Sequence, residues 1–186
     1  MTPRAFCTCR PGCPVWLTGL PSADKSTLAE ALARQLRRQG RRVEVLDGDI
    51  NRRLRTADLG FSRQDRIHDV QRIGLIAEVL ARNGIAVLVP VIAPYAQSRD
   101  AVHARHRQSA TAYLEVHVAT PLEACSQRDV KGLYARQTAG ALTGLTGVDD
   151  PYDLPDAPDL RIRADRDDID TCTAALHTLL RERGLA

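Results

Sequence analysis

The sequence predicts an α/β fold, a three-layer αβα sandwich around a mainly parallel, five-stranded sheet, with a lid over one end. Three observations predict it. Apolar strand-like runs and amphipathic helical stretches alternate along the chain. Residues 85–92 (IAVLVPVI) are continuously apolar, as a strand covered on both faces must be. Gly19 is followed six residues later by Lys25-Ser26, between a strand and a helix.

Residues 14–19 (PVWLTG) read as a short apolar strand running into a loop. From Lys25 to Gln39, Leu28, Ala29, Leu32, Ala33 and Leu36 share one helical face, and Gly40 ends the helix. Residues 42–46 (RVEVL) form the next strand, followed by Asp47-Gly48-Asp49. A long amphipathic helix over 65–83 stops at Gly84, before the 85–92 strand. A helix over 96–108, a strand over 113–118 and a helix over 121–130 follow. Residues 131–158 are rich in Gly, Thr, Asp and Pro and read as a long loop, the expected lid. A strand over 159–162 and a helix over 168–183 close the chain. One domain over 14–186 is expected, with residues 1–13 as a flexible arm and ligands at the carboxyl ends of the strands.

Composition narrows the function. The net charge of +3 is mild, and two Phe, four Tyr and one Trp provide no series of stacking platforms, so no nucleic-acid partner is expected. No apolar run reaches the roughly 20 residues of a membrane span, and the first residues lack the apolar core of a signal peptide, so a cytoplasmic protein without a membrane partner is expected. Lysine occurs only at Lys25 and Lys131, and the other 24 (26 − 2) basic residues are arginines. A position that keeps lysine in such a chain points to a need for a compact ammonium. Cys125 and Cys172 fall in helical patterns and read as buried thiols. Cys7, Cys9 and Cys13 cluster in the arm without a fourth zinc ligand nearby.

Gly19, Leu20, Pro21, Ser22, Ala23, Asp24, Lys25, Ser26 and Thr27 form a phosphate loop with one departure. Backbone N–H groups of such a loop point at phosphate oxygens, Lys25 reaches the β- and γ-phosphates, and Ser26 helps hold Mg²⁺. The departure is Asp24, where the pattern has glycine. At an effective dielectric of 20, like charges 4 Å apart repel by roughly 4 kcal/mol, about three decades in affinity. Weakened ATP binding is therefore expected. Asp24 also suits the start of a helix, where its carboxylate would occupy the anion site itself.

Over about residues 14–184 the chain resembles the adenylylsulfate kinases. The resemblance rests on VLDGD (45–49), DLGFSRQDR (58–66), VIAPYAQSRD (91–100), EVHVATPLEACSQRDVKGLYARQTAG (115–140) and LTGVDDPYDLP (145–155), in this order and spacing. It implies Mg²⁺ with ATP as phosphoryl donor and adenosine 5′-phosphosulfate as acceptor. It implies Asp49 as base and part of the metal shell with Ser26, and Asp47 beside it at a strand end next to the phosphate loop. Arg52 and Arg66 would clamp the phosphosulfate, Phe61 would stack on the acceptor adenine, and Ile92 would line the acceptor site. Lys131 would close over the site with the lid, and Arg128 would contact the donor nucleotide. A homodimer, and association with an ATP sulfurylase, belong to the same implication.

The sequence departs from the family pattern at several positions. Asp69 stands where an Asn is usual, Leu145 where many members have Phe at the acceptor adenine, Ala93 in place of a serine, and Ser22 in place of a second loop glycine. Asp24 and Asp69 both add negative charge to a site for polyanions. They motivate two alternatives to a working adenylylsulfate kinase. One is a kinase for a less anionic acceptor, and the other a catalytically impaired or non-catalytic homologue acting through a partner.

Overall fold

The computed structural model describes residues 11–47 and 62–186. Among the described residues eleven elements follow one another: β1 (Cys13–Thr18), α1 (Lys25–Arg38), β2 (Val43–Val45), α2 (Arg63–Arg82), β3 (Ala86–Pro90), α3 (Ala96–Gln108), β4 (Leu114–Val118), α4 (Leu122–Arg128), α5 (Leu133–Thr138), β5 (Leu160–Ile162) and α6 (Ile169–Glu182). The strands form one sheet of order β2-β3-β1-β4-β5, parallel throughout, which agrees with the sequence prediction.

The alternation of side chains along β1 divides the core in two. Val15 and Leu17 point to the face covered by Leu28, Leu32 and Leu36 of α1 and by Leu176 and Leu180 of α6. Trp16 points to the opposite face, with Val87 and Val89 of β3, Val70, Ile73 and Ala77 of α2, and Val102 of α3. β1 lies between β3 and β4, with Val15 level with both Leu88 and Leu114. All six of its residues are buried, which explains the continuous apolar run.

The helices on the second face approach closely at Gly74 of α2. A Cβ there would lie 2.6 Å from Val102 Cγ2. Gly74→Ala gains about 1 kcal/mol of helix propensity, but overpacking costs about 1–3 kcal/mol. A net loss of about 1 kcal/mol and a lower midpoint of thermal unfolding are expected.

The element boundaries differ from expectation in informative ways. β1 begins one residue early, at Cys13, whose thiol is buried and pushed up to about 12, first by desolvation and then by Asp159. Cys13 thus belongs to the sheet rather than to the arm. Cys7 and Cys9, and the arm up to residue 10, lie outside the described residues. α2 starts two residues earlier than predicted, because Ser62 caps it reciprocally with Asp65, a capping box built on Asp rather than the usual Glu or Gln. The stretch 131–158 is not one structureless loop, since α5 interrupts it. The Asp129 carboxylate accepts from the N–H groups of Tyr134 and Ala135 at 3.1 and 2.9 Å and so fixes the start of that helix.

Candidate active site

The carboxyl end of β1 delivers the chain into the loop 19–24 and then into α1. Gly19 is required by a close approach, since a Cβ at that position would stand 2.5 Å from the Val118 carbonyl oxygen. Ala23 N–H closes a turn onto Leu20 O at 3.3 Å. Two supports brace the loop from outside. Thr120 Oγ1 donates to Ala23 O at 3.3 Å, and the buried Tyr134 hydroxyl donates to Pro21 O at 3.0 Å. The path of the loop is therefore set by β4, α5 and its own turn.

Lys25 opens α1 and is buried. Its ammonium donates to Leu20 O at 2.6 Å, arching back across the loop. Burial lowers its pKa to about 8; Cys125 and Asp24 act in the opposite direction, and Lys131 adds to the lowering. The electrostatic reach of Lys131 to Lys25 places both lysines of the chain at this end of the sheet, with Lys131 exposed in the α4–α5 connection. Ser26 and Thr27 are exposed in the first turn of α1.

Asp24 departs from the predicted arrangement. Its backbone is left-handed (φ 69°, ψ 17°), the region that the loop pattern meets with glycine, and Ser22 is left-handed too (φ 59°). Asp tolerates this region better than most residues. Its carboxylate makes no capping bond to α1, so it does not fill the anion site at the helix start. It forms an ion pair with Nη1 of Arg128 at the end of α4 instead. Nη2 of Arg128 donates to Ala164 O at 2.7 Å, just after β5. The guanidinium predicted to meet the donor nucleotide is thus committed to the phosphate loop and the β5–α6 connection.

On the acceptor side the structure shows where some of the predicted residues lie and what they bond. Asp47 follows β2, half-buried at its carboxyl end. In the sheet β3 stands between β2, which leads into Asp47, and β1, which leads into the phosphate loop. Asp49, Arg52 and Phe61 lie outside the described residues. Arg66, predicted as an acceptor clamp, donates to Gly144 O at 2.6 Å, Thr146 Oγ1 at 2.7 Å and Asp150 Oδ2 at 3.2 Å. Asp69 is half-buried one turn further along α2. Ile92 is half-buried beyond β3, and its carbonyl accepts from Thr18 Oγ1. Leu145 is 5% exposed and packs within the core.

Residues 144–153 are bound to the body of the domain by groups that the sequence reading passed over. The Tyr95 hydroxyl donates to Asp150. The Tyr152 hydroxyl lies 2.9 Å from Thr18 Oγ1, whose own proton goes to Ile92 O, so Tyr152 is the donor. Buried Arg99 donates to Ala93 O and Asp153 O, both at 2.8 Å, and pairs with Glu115 at 2.9 Å. Asp149 accepts from the N–H groups of Gly144 and Leu145 at 2.8 and 2.6 Å, bonds that hold its carboxyl below the usual range. The signal available was the group of acids at 149, 150 and 153 around Tyr152 in the loop. Such acids seek N–H and hydroxyl donors.

A parallel sheet with a phosphate loop at the end of its central strand and a buried lysine at the head of the following helix defines a P-loop phosphotransferase. The family model for adenylylsulphate kinase matches residues 11–163. A probable adenylyl-sulfate kinase of Synechocystis is 46% identical over 159 residues, covering 86% of this chain and 88% of that protein. The structure of the Mycobacterium tuberculosis APS kinase CysC in complex with AMPPNP and APS superposes with a TM-score of 0.88 at 42% identity, covering 92% of this chain and 99% of that one. A hexameric APS kinase from Thiobacillus denitrificans superposes with a TM-score of 0.73 at 34% identity, over 95% of this chain and 30% of that one. The chain belongs to the adenylylsulphate kinase family.

Proposed function

We propose that this chain transfers the γ-phosphoryl group of Mg-ATP to the ribose 3′-hydroxyl of adenosine 5′-phosphosulfate, giving 3′-phosphoadenosine 5′-phosphosulfate and ADP. The observation that carries this reading is the donor apparatus in a member of this family: loop 19–24, the head of α1, and the buried Lys25 ammonium at their junction.

Phosphoryl transfer demands positioning and neutralisation of charge more than covalent chemistry. N–H groups of the loop and the positive end of α1 take the β-phosphate oxygens. Lys25 exchanges Leu20 O for a phosphate oxygen, a stronger, charge-assisted partner. The exposed Ser26 hydroxyl fits a Mg²⁺ ion, which characteristically uses one or two protein oxygens and completes its shell with phosphates and water. Such an ion would supply neutralisation of phosphate charge. Asp49 is assigned the acceptor hydroxyl, with Asp47 behind it. Arg52, Phe61, Ile92, Asp69 and Leu145 are assigned to the acceptor, with Arg66 acting on that side through residues 144–150. Lys131 is assigned to closure of the lid, about residues 131–158, over the site. The weakening expected from Asp24 depends on whether its charge is compensated. A homodimer, an ATP sulfurylase partner and a cytoplasmic location are part of the same proposal. In the described residues no helix is long and apolar enough to cross a membrane.

A half-buried acid at Asp69 favours a second reading, an acceptor carrying less negative charge. Release of ADP, followed with adenosine 5′-phosphosulfate, adenosine 5′-phosphate and uncharged hydroxyl acceptors in parallel, separates the two. Turnover that requires the sulfated acceptor supports the first reading. Faster turnover of an unsulfated acceptor supports the second, and no turnover with any acceptor removes both.

A further inference from the structure

We propose that Arg128 is the positioning residue that makes Asp24 compatible with nucleotide binding, holding its carboxylate away from the phosphate site and neutralising it. The proposal rests on the donor half of the function above. Three observations carry it.

The first is where the carboxylate is. Asp24 is the residue preceding α1, yet it makes no bond to the helix N–H groups, which are the nearest donors an acid in that position ordinarily takes. Its partner comes instead from 104 residues further along the chain. The N–H groups at the head of α1 thus remain for phosphate. The second is how Arg128 is held. It sits in the last turn of α4, where the negative end of the helix dipole favours a cation, and its other nitrogen donates to Ala164 O. An arginine fixed at both ends pulls in a set direction, towards the β5–α6 connection. The third is exposure. The two side chains are 31% and 24% exposed, so water screens their pairing only in part. A carboxylate left without this partner would repel a polyphosphate by up to about three decades in affinity.

Asp24 and Arg128 therefore act as one unit, a two-residue replacement for a single glycine. Their effects on nucleotide binding must be strongly non-additive. Lysine cannot reproduce the arrangement, because it lacks the fork needed to hold Asp24 and Ala164 O together.

Mg-ATP binding is measured by calorimetry on the full chain, on Asp24→Asn, on Arg128→Met and on the double variant, with thermal unfolding to confirm that each is folded. Asn keeps the shape of Asp and its tolerance of the left-handed region, so only charge is removed. Arg128→Met alone is expected to weaken binding about 10- to 100-fold, and by less than about threefold when Asn occupies position 24. An equal loss in both backgrounds overturns the proposal and makes Arg128 an independent nucleotide contact. Tighter binding by Arg128→Met also overturns it, making the pair a bar across the site. Absence of Mg-ATP binding by the unaltered chain overturns both this proposal and the donor assignment. Binding without turnover of adenosine 5′-phosphosulfate leaves the proposal standing and removes only the acceptor assignment.

Discussion

Lys25→Met should lower kcat for the phosphoryl transfer by about 10²–10³-fold, the range seen when one preorganised donor to a developing charge is removed. The same substitution should leave the protein as stable as before, or more stable. Burial lowers the Lys25 pKa from 10.5 to about 8, so keeping the ammonium charged in the folded chain at neutral pH costs roughly 3 kcal/mol. The hydrogen bond to Leu20 O recovers about 1.5–3 kcal/mol, and Met needs neither term.

The pH dependence has a definite sign. Between about pH 8 and pH 10.5 the unfolded chain binds the Lys25 proton and the folded chain does not. Stability from this group therefore rises through that window, and its full cost is present below pH 8. Thermal unfolding at pH 7.5 and pH 9.5 should show a gain with pH in the unaltered chain that is smaller by this contribution in Lys25→Met. Nucleotide binding runs the other way. Phosphate favours the ammonium, so above pH 8 Mg-ATP binding takes up a proton and weakens by up to about tenfold per pH unit. A pH-independent affinity between 7 and 9.5 would show that Lys25 does not meet the nucleotide.

Arg66→Ala should have the second largest effect, and it separates two roles. The residue serves Gly144 O, Thr146 and Asp150 with a side chain that is 17% exposed. Hydrogen bonds of a charged group contribute about 1.5–3 kcal/mol each, with incomplete additivity. A loss of about 3 kcal/mol is expected, together with faster proteolysis within residues 144–153 and a raised KM for adenosine 5′-phosphosulfate. Arg66→Lys should recover little, because an ammonium cannot face three acceptors set around a planar fork. If KM rises while stability and protease resistance hold, Arg66 serves the acceptor rather than the loop.

The sheet was legible because its signals are local. The run 85–92 and the 3.6-residue spacing of Leu28, Leu32 and Leu36 each specify an element without reference to any other. The capping box at Ser62 and Asp65 was local too, but carried by Asp where Glu or Gln is the stronger cue. The site divides in the same way. Gly19, Lys25 and Ser26 declare themselves by spacing, whereas the partners of Asp24 and Arg66 are separated from them by about 80 to 100 residues. No periodicity links such positions, and an arginine-rich chain offers too many candidates for each acid. Position 47 shows the related limit. Its place at a strand end was readable, but the order β2-β3-β1, which reverses sequence order at the centre of the sheet, was not.

The scarcity of lysine has a chemical consequence. One of the two lysines of this protein, Lys25, lies at the head of α1 and loses its proton at about pH 8. Near that pH about half of it is free amine, while the arginines ignore mild acylating reagents. Acylation of Lys25 mapped by mass spectrometry, with and without nucleotide, therefore reports occupancy of the donor site, with the exposed Lys131 as the one other lysine to compare it with.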